Sequence, residues 1–477
     1  MINNLINRLK ELWFQLSTIQ KAIAAIAPLV LLIILISIIR SGPEKPPKPQ
    51  KVDYGVESAA GAAILSPNQI VVRYKTEKKP GPARDTLRAR VQSQYNFDIA
   101  EVKTCNCNLT DIELWTIDTT GYAQQGKGGV EDILKSIKNN EEEGDMEGDH
   151  QFYFNMQTIA KPCKNEGIGL QAKVGPGNGD RIINVAIIDT GLDYQYFSPI
   201  LYNSKSPSAC EPNISGWDFV NNDNDPMDDH YHGTLVTKVL ISSFDSTNIP
   251  YRILPLKAFD ENGRGSYFDV MCAIRYIHEL GDIDIVNMSF GWDELDDIDI
   301  MKSLIDDTKQ TLFVASAGNN GTNTDLPGNE HYPSGFDSNN LLSVAGFVPM
   351  EDDGGNAAPT AATGTNNSIM LDPRSNYGPA SIDIAAPFIH TVNLERCDED
   401  GQTVQVEAKV GGTSYSVPYV IGRAGYHLWN DANKNPTTLK LETNRGGFVA
   451  PNFGNKLRRD IAISNRLNLV SPASQSN

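Results

Sequence analysis

The chain has 477 residues, with 59 Asp and Glu against 41 Lys and Arg, a formal net charge of −18. That balance gives no basic face for a polyanion, so no nucleic-acid partner is expected. With 40% apolar and 21% charged residues, the composition is that of a folded protein with room for two or three domains.

Residues 1–21 place Leu5, Leu9, Leu12, Trp13, Leu16 and Ile19 at helical spacing, with Arg8, Lys10 and Glu11 between them. This predicts an amphipathic helix on a membrane surface. Residues 22–39 carry no charge, and about 18–20 such residues span a bilayer core, so a transmembrane helix is expected. The stretch ends Ser37-Ile38-Ile39-Arg40 rather than in a small-residue exit, which reads as a retained anchor and not a cleaved signal. Basic residues flank it on both sides and leave its orientation open. Residues 40–66 read as a proline-rich linker that holds the rest off the membrane.

Residues 67–157 read as a small α+β domain. Strand patterns at 69–74, 97–103, 112–118 and 151–154 alternate with helical patterns at 83–95 and 129–138. The order β-α-β-β-α-β is ferredoxin-like. The acidic stretches 141–147 and 293–299 read as solvated loops. Cys105, Cys107, Cys163, Cys210, Cys272 and Cys397 are scattered, with no C-x-x-C pair. Cys105-Asn106-Cys107 could hold a metal or a strained bridge but reads rather as two strand-end thiols, and the redox compartment stays open.

From about residue 180 the pattern becomes α/β. Near-continuous apolar runs at 182–188, 253–258, 283–288 and 311–315 suit strands buried on both faces, and 268–280 is helical. A parallel sheet with helices on both faces forms its sites at the carboxyl ends of its strands. Candidates stand at those ends. Asp189 closes the first run in Asp189-Thr190-Gly191, and His232 opens a helical run as His232-Gly233-Thr234. Ser414 follows Gly411-Gly412-Thr413 at the start of another helix, and Pro418 is tolerable in that first turn. Aspartate, histidine and serine can form a triad that activates the hydroxyl. Asn319, past the fourth run, could donate to the anionic oxygen of a tetrahedral intermediate.

Other chemistries fit less well. Asp-Thr-Gly also marks aspartic proteases, but no second such motif is present. His230 lacks the following Gly-Thr and reads as a loop residue. Asp223, Asp225, Asp228 and Asp229 resemble a calcium loop but have Pro226 where glycine is needed, so a solvated loop is expected. No G-x-S-x-G surrounds Ser414, and His278-Glu279 does not extend to H-E-x-x-H.

Together these segments resemble the subtilase family of serine proteases. Ile187-Ile188-Asp189-Thr190-Gly191, His232-Gly233-Thr234 and Gly412-Thr413-Ser414 match its three active-site signatures in order. Gly216-Trp217-Asp218-Phe219-Val220, Val286-Asn287-Met288-Ser289-Phe290-Gly291, Ser316-Ala317-Gly318-Asn319, Ser375-Asn376-Tyr377-Gly378 and Ile384-Ala385-Ala386-Pro387 are further landmarks.

The resemblance implies a subtilisin-like α/β catalytic domain over 158–477 and an endopeptidase acting on proteins or peptides. Asp189 would orient His232, the general base. Ser414 would attack, and Asn319 with the Ser414 amide would hold the oxyanion. Ser289, Phe290 and Gly291 would form one wall of the substrate pocket, and Ser316, Ala317 and Gly318 the other. Residues 67–157 would be a prodomain, an intramolecular inhibitor cut off after Met156 and before about residue 174. No cofactor and no metal is expected. Leu235, Phe388 and Tyr415 depart from the usual family residues, and Tyr415 could narrow the site. They leave a rival reading, a catalytically silent scaffold at the membrane. A single-pass membrane protein with its catalytic domain outside the cytoplasm is expected, because a free protease in the cytosol would be hazardous.

Overall fold

The computed structural model describes residues 50–462 apart from 58–60, 76–81, 106–108, 121–128, 140–145, 157–180, 195–200, 203–215, 246–248, 294, 296–297, 350–368, 398–402, 432, 434, 445–447 and 450–460. The predicted helices at 1–21 and 22–39, the start of the linker and the expected cleavage stretch lie outside those residues. Among the described residues no helix is long and apolar enough to cross a membrane.

The end of the expected linker is a strand, β1 (Gln50–Val56). The small unit follows: β2 (Ile64–Tyr74), α1 (Pro82–Tyr95), β3 (Asp98–Thr104), β4 (Ile112–Asp118), α2 (Val130–Asn139) and β5 (Met146–Asn155). Its strands run β3-β4-β2-β5, every neighbour antiparallel, which is the ferredoxin-like arrangement. α2 forms because Val130, Ile133, Leu134 and Ile137 recur on one face, and that face is buried with Leu87 and Val91 of α1 against Ile70, Val72 and Trp115. β5 starts at Met146, so the end of the acidic stretch is strand rather than loop.

The large unit contains β6 (Ile183–Asp189), β7 (Trp217–Asp218), α3 (His232–Asp245), β8 (Tyr251–Lys257), β9 (Arg264–Ser266), α4 (Tyr267–Leu280), β10 (Ile285–Met288), β11 (Trp292–Asp293), α5 (Asp299–Asp307), β12 (Leu312–Ser316), β13 (His331–Tyr332), β14 (Leu341–Pro349), β15 (Ile369–Leu371), β16 (Ile384–Pro387), β17 (Ile389–Cys397), β18 (Thr403–Gly411), α6 (Thr413–Asn430), α7 (Pro436–Asn444), β19 (Phe448–Val449) and β20 (Ile461–Ala462). The central order β16-β14-β12-β10-β6-β8-β7 is parallel throughout. α3 and α6 bury Leu235, Val239, Val420 and Ile421 on one side of the sheet. α4 and α5 bury Met271, Ile274, Ile300 and Leu304 on the other. β17 and β18 form an antiparallel hairpin, and β1 adds parallel to β18. Of the 293–299 stretch, Asp293 lies in β11 and Asp299 opens α5.

The two units meet by strand addition. β9 pairs antiparallel with β5, matching Tyr153 with Ser266 and Asn155 with Arg264. Phe152 stacks on Tyr267 at 4.6 Å between ring centres, and Phe154 meets Phe259 edge-on at 5.3 Å. Each ring is fully buried, a gain of about 1.5–3 kcal/mol apiece. Asp149 caps α5, accepting from the amides of Asp299 (3.0 Å) and Ile300 (2.7 Å) and from the Tyr267 hydroxyl (2.7 Å). Burial pushes its carboxyl up to about 6. A disulfide joins Cys105, just past β3, to Cys272 in α4. Cys105 is therefore not a free thiol: docking places two residues 167 positions apart within bonding distance. Asp149→Ala strips the acceptor from those buried donors. The full chain is expected to lose about 1–3 kcal/mol in urea unfolding, and an unchanged midpoint would contradict this account of the interface.

Candidate active site

Asp189 ends β6 and is fully buried. Its Oδ1 accepts from the Thr190 amide and from Nδ1 of His232, both at 2.7 Å. His232 is the first residue of α3, and a Cβ on the next residue would strike the Gly191 carbonyl, so only glycine can follow. Asp228 fixes that helix start: its Oδ2 accepts from the Thr234 amide (2.8 Å) and hydroxyl (2.7 Å). Its Oδ1 accepts from the Tyr231 amide (2.6 Å) and the Thr190 hydroxyl (2.8 Å). The acidic stretch expected as a solvated loop is thus a structural cap at Asp228, and Asp229 pairs with the buried Lys257 at 2.5 Å. His230 is in the preceding loop, as expected, but is buried.

Ser414 is the second residue of α6, entered through Gly412 at φ +151°, a value that disfavours a side chain. The Ser414 hydroxyl donates to the Ser289 carbonyl at 3.2 Å, and the Ser289 hydroxyl returns a bond to the Ser414 carbonyl at 2.7 Å. Asn319 follows β12; its Oδ1 accepts from the Thr413 amide (2.9 Å) and hydroxyl (3.1 Å), which aims Nδ2 into the cleft. The structure therefore gathers Asp189, His232, Ser414 and Asn319 in one place.

The serine is not the partner of the histidine. Glu57, one residue past β1, puts its carboxylate between His232 and Asn319. Oε1 lies 2.8 Å from His232 Nε2, and Oε2 accepts from Asn319 Nδ2 at 3.1 Å. The Glu57 amide donates to the Gly411 carbonyl at 2.8 Å, extending the β1–β18 pairing to the cleft. Burial opposes a charged imidazole here, but the carboxylates of Asp189 and Glu57 outweigh it and raise the His232 pKa well above its ordinary value. Both ring nitrogens then donate, one to each carboxylate.

Ser289, Phe290, Gly291, Ser316 and Gly318 line the cleft, together with Asn155 and Met156 from the small unit and His331 from β13. Ala317 does not: it is buried with Ala345, Phe347 and Leu371. Tyr415 is buried beside His232, the ring centres 5.8 Å apart. Phe388 is accommodated because a Cβ on Gly346 would overlap its ring. Leu235 belongs to the core beneath α3. Sequence reasoning missed Glu57 and His331. The alternation of residues 52–56 was the one signal for Glu57, masked by the prolines before it.

The family model described as "Subtilase family" matches residues 180–444, more than half of the chain. The chain belongs to the subtilase family. This subtilase is 30% identical over 248 residues to a thermophilic serine proteinase of Bacillus sp. (strain AK1), covering 50% of each chain. It is 26% identical over 259 residues to halolysin of Haloferax mediterranei, covering 52% of this chain and 42% of that one. It thus spans half or less of the length of these curated relatives. The crystal structure of a cold-adapted subtilisin-like serine proteinase matches 59% of this chain and 89% of its own at 20% identity, with a TM-score of 0.40.

The electrostatics of the subtilase cleft are testable. A cationic imidazole cannot take a proton, so with Glu57 in place His232 gains base strength only as pH rises above its raised pKa. Glu57→Gln removes the charge-assisted bond at Nε2, so the His232 pKa moves down. Histidine NMR titration is expected to show that fall, and reaction of Ser414 with a fluorophosphonate at pH 7 should accelerate about tenfold or more. If neither moves, the carboxylate does not hold the imidazole charged.

Proposed function

We propose that this chain is a serine endopeptidase, synthesised as a membrane-anchored zymogen that processes itself. The observation that carries the reading is the Asp189–His232 bond at the cleft that also holds Ser414 and Asn319, with the chain's own segments lodged in it. In the active form neutral His232 takes the Ser414 proton, steered by Asp189, as Ser414 attacks the peptide carbonyl. Asn319 Nδ2 and the Ser414 amide donate to the oxyanion. His232 then passes the proton to the leaving amine, and water hydrolyses the acyl-enzyme by the same route.

Two restraints support the zymogen. β5 adds to β9 and leads Asn155 and Met156 into the cleft, so the small unit is suited to act as an inhibitory prodomain. Glu57 occupies the imidazole face that the serine needs, while the Ser414 hydroxyl is turned to Ser289. Activation requires Glu57 to leave and Ser414 to rotate toward His232. The uncharged run at 22–39 supports an anchor, and the Cys105–Cys272 disulfide suits a catalytic unit outside the cytoplasm, in an oxidising compartment. The same Glu57 contact is what a silent scaffold would draw on, since it leaves the imidazole engaged on both sides.

Intact mass of the full chain beside Ser414→Ala separates the two. Wild type is expected as two fragments split between residues 156 and 174, held together by Cys105–Cys272 until a reductant is added, and the variant as one. If wild type stays whole and Glu57→Gln also fails to bind a serine reagent, the scaffold reading stands.

A further inference from the structure

The cleft beside Ser414 has a titratable floor that the mechanism does not use. β13 pairs antiparallel with β11, setting His331 opposite Asp293 and Tyr332 opposite Trp292. This brings the His331 ring under both walls of the cleft. A Cβ on Gly291 would overlap the imidazole, and one on Gly318 would stand 2.8 Å from its Nε2. Nε2 is thus the edge presented to whatever side chain enters between those walls. The opposite nitrogen is already engaged, with Nδ1 2.8 Å from the Ser334 hydroxyl oxygen. That hydroxyl donates to the His331 carbonyl at 3.2 Å, so Nδ1–H donates to Ser334 and Nε2 is left as an acceptor.

The chemistry of the occupant follows. Burial pushes the imidazole down to about 4, so it is neutral at physiological pH. A carboxylate side chain would meet a lone pair rather than a cation. An ammonium would lose its water with no carboxylate on either wall to replace it. A purely apolar side chain would leave Nε2 buried and unpaired. A side-chain amide offers both a donor and an acceptor, and suits the imidazole in either tautomer. The chain's own sequence agrees: Asn155 and Met156 line the cleft, and the next residue is Gln157.

We propose that His331 sets the specificity of this cleft, selecting substrates with a side-chain amide, glutamine foremost, immediately before the scissile bond. This rests on the peptidase reading above. His331 touches the substrate side chain and takes no part in bond making.

The test uses the self-processed full chain in detergent, with a reductant added to open Cys105–Cys272 and free the cleft, and fluorogenic peptides Phe-Asn-Met-Xaa, with Xaa as Gln, Leu, Glu or Lys. Glutamine is expected to lead each of the others in kcat/KM by about tenfold or more, the scale on which a site rejects a substrate that leaves its polar group unpaired. In His331→Leu the Gln-to-Leu ratio should fall at least tenfold, while a fluorophosphonate still labels Ser414 and shows that the site is assembled. If the wild-type enzyme cleaves the leucine or lysine peptide as well as the glutamine one, the assignment is overturned and the peptidase reading survives. An unchanged ratio in His331→Leu with Ser414 still reactive overturns it too. If wild type cleaves none and Ser414 takes no reagent, the peptidase reading itself falls, and this inference with it.

Discussion

His232 is held between two carboxylates, and the rest of the cleft is arranged by which of them it answers to. Asp189 lies at the end of a central strand, fixed by the Thr190 amide and fully buried, and it cannot withdraw. Glu57 reaches the other nitrogen from a short strand at the margin of the fold, pinned by pairing with β18. A carboxylate on Nδ1 orients the ring and stabilises the cation only when it forms. A second on Nε2 stabilises the cation permanently and occupies the face on which a hydroxyl would be activated. On the peptidase reading, one interaction prepares a base and the other disarms it.

The small unit is bound to the large one in two chemically different ways. The β5–β9 pairing, the aromatic cluster around Phe152 and Phe154 and the Asp149 cap are non-covalent. The Cys105–Cys272 bond is not. In the zymogen reading this difference decides what a peptide cut accomplishes. A severed but tethered inhibitor faces its site at an effective concentration on the order of millimolar, so it keeps the site filled wherever its affinity is tighter than that. Cutting the chain therefore breaks continuity without clearing the cleft, and clearance needs reduction of the disulfide or a second cut.

What could be read from the sequence divides along a physical line. Asp189, His232 and Ser414 announce themselves because each sits in a local backbone arrangement that dictates its neighbours: a Cβ at Gly233 would strike the Gly191 carbonyl, and Gly412 adopts φ +151°. The ferredoxin-like order was legible because α2 and its strands carry their own apolar periodicity. Glu57, the Cys105–Cys272 pair and His331 have no such local signature. β1 is defined by a strand some 350 residues away, as in the register of Gln50 with Val406. The disulfide exists only after docking, and His331 reaches the cleft through the two-residue β11–β13 pairing. Ala317 is read from its motif as part of a cleft wall, while its side chain packs in an apolar cluster with Ala345, Phe347 and Leu371 that no local pattern announces.

Two histidines line the same cleft with pKa values moved in opposite directions, and the cause is not the residue type. Both rings are buried, which disfavours the cation in each. At His232 two carboxylates reverse that preference; at His331 a serine hydroxyl supplies no charge to do so. One imidazole therefore rests as a cation, while the other stays neutral and keeps a lone pair. On the peptidase reading, a site that must both move protons and read a side chain gains from this separation. Were a carboxylate bonded to His331 in place of the Ser334 hydroxyl, the ring would become a second cation in the cleft, lowering the His232 pKa through repulsion and, on the reading proposed above, admitting acidic side chains. What keeps the two rings apart in charge is the neutral hydroxyl of Ser334 at Nδ1 of His331, where His232 has the carboxylate of Asp189.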